Sequence, residues 1–384
     1  MADYSERALL PEGFHDDLPP DAERQAALVT RLLDRFAAFG YDRVSPPLAE
    51  FEDSLLAGSG KTQARAMFRV MDPVTHRMMG LRTDMTIQVA RIAATRLAAE
   101  ARPLRLAYAG DVLRVRGGQL RPERQFGQAG IELIGEPSLE ADLEVLLIAA
   151  DALTAIGLEN LSVDLTVPTL APTLAAHFEL SKAATKALQA ALNDKDAGEL
   201  AALKGEAGAV FRGLLAAAGP ADDALAALGR LALPDAVQPL IAGLKTLVAR
   251  LKEAAPDLAV TVDPGEFEGF EYKTGISFTL FAKGARGEIG RGGRYEIAAA
   301  EGRGRESATG FTVYLDSVIR AAPAAIPSQK VYVPFGVSLA EARRLQGEGW
   351  RTVRGLAKEA DVRQQAAALG CTHILAHGGV QAIA

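Results

Sequence analysis

Residues 124–134, RQFGQAGIELI, alternate in a way that gathers reactive groups on one side of a strand. A period of two sends Arg124, Phe126, Gln128, Gly130 and Glu132 to one face and Gln125, Gly127, Ala129, Ile131 and Leu133 to the other. The first set is too polar for a core, and Gly130 leaves a recess floored by an amide and a carboxylate. In the preceding strand-like stretch, 104–116, Tyr108, Gly110, Val112, Arg114 and Arg116 share a face, so an arginine can meet that recess. A guanidinium opposite a carboxylate across a small cavity suits a zwitterion, with Glu132 toward an ammonium and Arg114 toward a carboxylate. The alternative is a solvated sheet face carrying cross-strand ion pairs.

Two further stretches have chemical potential. LRTDMT, residues 81–86, places Asp84 and Thr86 at a strand-to-helix junction, where Thr83 or Asp84 also reads simply as a helix N-cap. GEIGRGGRYE, residues 287–296, reads as a glycine-rich turn, but it lacks the pattern of a phosphate-binding P-loop.

These residues need a scaffold. Residues 21–40 put Leu28, Leu32, Leu33 and Phe36 on one helical stripe that Gly40 stops, and 138–156 return to the same periodicity. A hairpin and a helix from about Thr83 lie between them, so the first 165 or so residues predict an antiparallel sheet with helices beside it. Ala and Leu dominate from 169 to 255, which reads as a helical insertion. Strands resume in LAVTVDP, EGFEYKTGISFTLFA and GEIGRGGRYE, and GFTVYLDSVIRAA runs from strand into helix. A proline-marked linker, APAAIPSQ, precedes a small α/β module with strands near VYVPF, RTVRGL and THILAH. The expected fold class is α+β, divided as 1–168 and 256–322 for the two parts of the core, 169–255 for the insertion and 323–384 for the C-terminal module.

Composition narrows the function classes. The chain has 384 residues, 49% of them hydrophobic, which is enough for a large core. Its apolar runs are too short for a membrane span, and the N-terminus has no basic-then-apolar signal pattern, so no membrane association is expected. One cysteine, Cys371, excludes an internal disulfide framework and any cysteine-based zinc cluster, which suits a cytoplasmic location; five scattered histidines point away from a metal site. A net charge of −6 argues against a protein coated with basic surface for nucleic acid.

Taken in order, these segments resemble the catalytic core of class II aminoacyl-tRNA synthetases, specifically histidyl-tRNA synthetase, over roughly residues 9–320. LLPEGFHDDLP resembles that family's opening, LRTDMT its LRPEGT turn, and RVRGGQLRPERQFGQAGIELIG its second class motif. GFEYKTG and GGRYE are similar to the two histidine signatures, and GFTVYLDSV stands at the third motif. The resemblance implies histidine contacts at Asp84, Thr86, Arg114, Gln128, Glu132, Tyr272 and Tyr295. It also implies a class II antiparallel sheet flanked by helices.

The departures fall on ATP. The arginine that opens the first histidine signature is Glu268 here, and two like charges about 4 Å apart repel by roughly 4 kcal/mol at an effective dielectric of about 20, about a thousandfold in rate. The Glu-Arg that ends the third motif is Asp316-Ser317, and the glutamate expected after Arg114 is Arg116. One departure touches the amino-acid half, where the family's Tyr-Tyr is Tyr272-Lys273. The C-terminal module is similar to a trimmed anticodon-binding domain without a basic stripe, so no nucleic-acid partner is expected. This pattern resembles the synthetase paralogues that serve as regulatory subunits of short-form ATP phosphoribosyltransferase. The resemblance implies a non-enzyme without cofactor or metal. Its partners would be a catalytic phosphoribosyltransferase subunit, a second copy of itself in a dimer within a hetero-octamer, and L-histidine as feedback ligand. The competing expectation is a divergent histidyl-tRNA synthetase or another class II-like ligase, with Arg291, Arg294 or Arg303 replacing the lost grip on ATP.

Overall fold

A computed structural model describes residues 9–56, 63–118, 121–266, 272–299, 304–324 and 329–383. Glu268 and Arg303 lie outside the described residues. The chain divides into two compact units, Met1–Pro323 and Ala324–Ala384.

The first unit opens with helix α1 (Asp21–Ala38), whose Leu28, Leu32 and Phe36 are buried as the 3.6-residue stripe predicts. Asp21 and Glu23 favour its N-terminus, and Gly40 ends the turn with φ +81°. Strand β1 (Asp42–Arg43) follows, then β2 (Ala49–Phe51), a short helix α2 (Glu52–Leu55), β3 (Arg69–Met71) and β4 (Met78–Leu81). Helix α3 (Thr86–Thr95) leads to the long hairpin of β5 (Leu104–Leu113) and β6 (Gln125–Ile134), and α4 (Leu139–Ala155) returns to β7 (Ser162–Thr166).

The alanine-rich region forms α5 (Leu170–His177), α6 (Lys182–Asn193), α7 (Ala197–Ala201), α8 (Gly205–Ala216), the short strand β8 (Gly219–Pro220), α9 (Ala221–Leu228) and α10 (Gln238–Ala254). Its Leu174, Phe211, Leu244 and Leu251 share one hydrophobic cluster with Leu32, Phe36 and Leu146, so the insertion packs into the main core. The sheet resumes with β9 (Ala259–Asp263), β10 (Lys273–Phe281), β11 (Gly290–Ala298) and β12 (Arg305–Tyr314), and α11 (Leu315–Ala321) ends the first unit.

The main sheet runs β1-β5-β6-β12-β11-β10-β7-β9-β8, while β2, β4 and β3 form a separate small sheet. Its centre is antiparallel as expected, but β1 pairs with β5 and β7 with β9 in parallel. Of the two readings of GEIGRGGRYE, strand and glycine-rich turn, the structure shows the strand: Gly290 to Glu296 pair continuously with Val313 to Ser307. Its glycines serve close packing, since a Cβ at Gly292 would lie 2.2 Å from the Phe278 ring and 2.5 Å from the Gly310 carbonyl.

β6 explains why a polar face is not a wet one. Ala129, Ile131 and Leu133 face the core built by α1 and α4. The opposite face is also covered, because Phe126, Tyr108 and Tyr295 join a second cluster with Met85 and Val89 at the start of α3. The reading of a solvated face with surface ion pairs is thereby excluded: Gln128 and Glu132 are 0% and 1% exposed.

The C-terminal unit is a four-stranded sheet ordered β14-β13-β15-β16. Its strands are β13 (Lys330–Val333), β14 (Arg351–Arg354), β15 (His373–Ala376) and β16 (Gly379–Ala382), with α12 (Leu339–Gly347) and α13 (Val362–Ala368) as crossovers. The first three strands match the expected positions, and β16 adds an antiparallel edge that the sequence reading missed.

Candidate functional site

A cavity of about 400 Å³ opens over the centre of the sheet. Asp84, Thr86, Arg114, Glu132, Tyr272 and Tyr295 all line it, together with Lys273 and Thr312. Six of the seven expected site residues therefore converge: Asp84 before α3, Thr86 at its first position, Arg114 just after β5, Glu132 on β6, Tyr272 just before β10 and Tyr295 on β11. Tyr272 stands at the rim, 41% exposed, with Lys273 Nζ 5.9 Å from the centre of its ring.

Glu132 lies at the sealed end. Tyr295 donates to its Oε2 at 2.7 Å and Tyr108 to its Oε1 at 3.2 Å. Tyr108 also meets Thr312 Oγ1 at 2.6 Å and Thr86 Oγ1 at 3.3 Å, which joins α3, β5, β6 and β12 through one hydroxyl. The recess expected at Gly130 is real but filled, because a Cβ there would lie 2.7 Å from the Tyr108 hydroxyl. Burial pushes the Glu132 carboxyl up to about 8; the tyrosine and Thr86 hydrogen bonds oppose that rise, and the nearby Asp84 carboxylate adds to it. The two tyrosine hydroxyls are held well above their usual range, Tyr108 and Tyr295 both chiefly by burial. Near neutral pH the empty pocket thus holds a largely protonated carboxyl beside two phenol donors. Asp84 is a further acidic side chain on the cavity wall, close enough to Glu132 to raise its pKa.

Gln128 does not line the cavity. Its Nε2 donates to Asp84 Oδ2 at 3.0 Å and its Oε1 accepts from the Met85 N–H at 3.2 Å. Asp84 Oδ1 accepts from the Thr86 N–H at 2.8 Å, so one aspartate both serves the first turn of α3 and faces the cavity. In this structure Gln128 holds Asp84 from behind the cavity wall. Thr312 on the cavity wall and Tyr108 buried behind it are the partners of the Glu132 network that sequence reasoning missed. Tyr108 had a signal, since its alternation with Gly110 places it opposite Gly130. Thr312 meets Gly130 through the β6–β12 pairing, which joins distant parts of the chain.

Beyond Arg114 the cavity adjoins a larger space of about 680 Å³ lined by Arg121, Phe126, Arg286 and Arg291. Its cations are partly committed. Arg121 Nε lies 3.3 Å from Asp316 Oδ2 and its guanidinium 3.8 Å from the centre of the Tyr314 ring. Arg320 donates to the same Asp316 oxygen at 2.8 Å and to Glu123 at 3.1 Å. Asp316-Ser317, which replaces the expected Glu-Arg pair, is therefore the hub of an internal ion-pair network. Of the arginines considered as substitutes, Arg291 lines both cavities and pairs with Glu288. Arg294 points away into the interior, donating to Asp142 Oδ2 at 3.0 Å, the Glu136 carbonyl at 2.9 Å and the Ser138 carbonyl at 2.7 Å.

Among the described residues, Asp164, Asp263 and Glu266 bring carboxylate oxygens within 4.8 Å of one another. Lys195 already supplies the counter-charge at Asp263, and Thr261 donates to Asp164 at 2.5 Å.

Residues 13–318 match the histidyl-tRNA synthetase family. The chain is 51% identical over 376 residues, 98% of its own length and 96% of the relative's, to an ATP phosphoribosyltransferase regulatory subunit of Rhodospirillum centenum. It is 50% identical over 384 residues, with 99% of both chains covered, to the protein of that description from Paramagnetospirillum magneticum. Among solved structures, one described as an ATP phosphoribosyltransferase regulatory subunit/histidyl-tRNA synthetase from Bacillus halodurans superposes with a TM-score of 0.81 at 24% identity, covering 94% of this chain and 96% of that one. A histidyl-tRNA synthetase from Nostoc sp. gives 0.80 at 18% identity, covering 97% and 92%. These two likenesses show a common class II architecture. Near-full-length identity of about half, on a synthetase fold whose third motif is rebuilt as an ion-pair hub, leads to one conclusion: the chain belongs to the ATP phosphoribosyltransferase regulatory subunit family, a branch of the histidyl-tRNA synthetase family.

Proposed function

We propose that the chain is a non-catalytic regulatory subunit of short-form ATP phosphoribosyltransferase that binds L-histidine in the cavity over Glu132. It acts in the cytoplasm at the first step of histidine biosynthesis. There it pairs with itself as a dimer within a hetero-octamer, activates separate catalytic chains and conveys feedback inhibition by histidine. The observation that carries this reading is the contrast between two neighbouring spaces. The amino-acid end keeps Asp84, Thr86, Glu132 and Tyr295 on the cavity wall with Tyr108 behind Glu132, whereas Asp316 draws Arg121 and Arg320 into an internal network next door.

In this arrangement the ligand's ammonium meets Asp84 and Thr86, its imidazole lies against Glu132 and Tyr295, and its carboxylate turns toward Arg114. Asp84 is held in place from behind by Gln128. Glu132 and the tyrosines offer both donors and an acceptor to a ring with two nitrogens, which a purely apolar side chain would leave unpaired. An unpaired buried polar group costs about 1–3 kcal/mol, and this sets the selectivity. Regulation is then a linkage: if bound histidine lowers the partner's affinity for its substrate, the substrate lowers histidine affinity by the same factor.

The test is to combine the purified chain with a short catalytic chain that lacks its own regulatory domain and to assay phosphoribosyl transfer with and without histidine. The expected outcome is activity that depends on this chain and falls with histidine, with no histidine-dependent ATP–pyrophosphate exchange by the chain alone. No activation, or exchange turnover above background, refutes the reading.

A further inference from the structure

Glu132 is a buried acid on the cavity wall, and among the described residues no arginine or lysine forms an ion pair with it. Arg121 and Arg291 stand on the same wall but pair with Glu288. The groups that meet the two Glu132 oxygens are uncharged hydroxyls. Tyr295 on β11 donates to Oε2 and Tyr108 on β5 to Oε1, Thr86 at the start of α3 adds a third hydroxyl, and Thr312 on β12 backs Tyr108. The charged neighbour that acts on the carboxyl is Asp84, of like sign. In the core on the other face of β6, Tyr41 feels the Glu132 charge while donating to Glu144 at 3.0 Å.

This combination gives the carboxyl two usable forms. Burial with no counter-charge keeps it the neutral acid in the empty cavity. Hydroxyl donors aimed at both oxygens are also what a buried carboxylate needs, so the ionised form becomes favourable once a cation stands beside it. In the arrangement proposed for histidine, Asp84 takes the ammonium and Arg114 the carboxylate. The ring is then the remaining part of the ligand that can bring a positive charge to Glu132.

We propose that the ring of bound histidine is an imidazolium and that its extra proton comes from Glu132. The inference rests on the reading of this cavity as a histidine site and fixes the chemical form in which the ligand is held. In the step, the Glu132 O–H bond breaks and an N–H bond forms on the ring nitrogen that faces it. A neutral acid and a neutral imidazole become a carboxylate and an imidazolium, and no proton is exchanged with solvent near neutral pH. Tyr295 and Tyr108 keep their hydrogen bonds to the carboxylate that results. Glu132 is thereby a specificity-determining residue: ring basicity, and not ring shape alone, decides what the cavity accepts.

The experiment uses the full-length chain and L-histidine labelled with nitrogen-15 in the ring. It is run midway between the ordinary ring value of about 6.5 and the Glu132 value of about 8, where the free ring is mostly neutral and the free carboxyl mostly protonated. Nitrogen NMR of the bound ligand should show two protonated ring nitrogens, and titration calorimetry in phosphate and in Tris should give the same binding enthalpy. 2-Fluoro-L-histidine, close to histidine in size but far less basic in its ring, should bind roughly tenfold more weakly. Glu132→Gln, which has no proton to give, should close most of that gap. A bound ring with one protonated and one bare nitrogen overturns the proposal, as does equal affinity of the wild type for the two ligands or a gap that persists undiminished in Glu132→Gln. Two protonated nitrogens with an enthalpy that changes with the buffer also overturn it, because the proton then comes from solvent. Absence of any histidine binding overturns the reading of the cavity and this inference with it.

Discussion

Replacing Glu132 by glutamine should make the empty protein more stable in neutral solution and remove a large part of its pH dependence. The carboxyl is 1% exposed, and burial lifts its pKa from 4.5 to about 8. In the unfolded chain it ionises at its ordinary value, so between about pH 5.5 and 7.5 the folded protein holds one proton more than the unfolded chain. A folded pKa raised above the unfolded one gives stability that is complete below the unfolded value and is lost as pH climbs toward the folded value. Each pH unit over which the two states differ by one proton costs roughly 1 kcal/mol or somewhat more, so this one group removes a few kcal/mol between about pH 5.5 and 7.5. Glutamine keeps the shape and an acceptor for Tyr295 and has no proton to lose. Urea unfolding of wild type and Glu132→Gln at both pH values gives a double difference in which the other titrating groups cancel. Far-UV circular dichroism is the suitable probe, because the one tryptophan, Trp350, belongs to the C-terminal unit. A drop of equal size in both proteins would refute the reasoning, since Glu132 would then ionise in the folded protein as it does in water.

Two further substitutions probe the scaffold. Arg294→Ala leaves Asp142 buried without its cation and should cost about 3–5 kcal/mol in chemical denaturation, with Asp142→Asn in the same chain recovering part of the loss. Gly310→Ala would set a Cβ 2.0 Å from Glu132 Oε2 and 2.3 Å from the Ile131 carbonyl. It should abolish the histidine-induced thermal shift, whereas Gly347→Ala, which meets nothing within 4 Å, should leave that shift unchanged.

The local order of the fold was legible because it follows from short-range periodicity. The stripe of Leu28, Leu32 and Phe36, the β5–β6 hairpin and α4 all emerge from patterns of two or 3.6 residues. GEIGRGGRYE reads both ways, as strand and as turn, because glycine clusters usually mark turns; here they let three strands approach closely, a demand that neighbouring strands impose and local sequence does not state. The candidate site divides in the same way. Alternation placed Glu132 and Gln128 on one face, but which of them touches the cavity depends on α3 lying over that face and taking Gln128 for Asp84. The burial that raises the Glu132 pKa also comes from contacts distant along the chain, with Tyr295 and Thr312 as the clearest cases.

The network around Asp316 also bears on evolutionary reversibility. Ser317 Oγ already lies 3.3 Å from one Arg320 nitrogen and 3.5 Å from one Arg121 nitrogen. An arginine at position 317 would bring a third guanidinium to Asp316, whereas a glutamate at position 316 would keep the negative charge that Arg121 and Arg320 share. Reversal is thus unequal at the two positions: a carboxylate at 316 is already required by two arginines, and a cation at 317 would be opposed by those same two arginines.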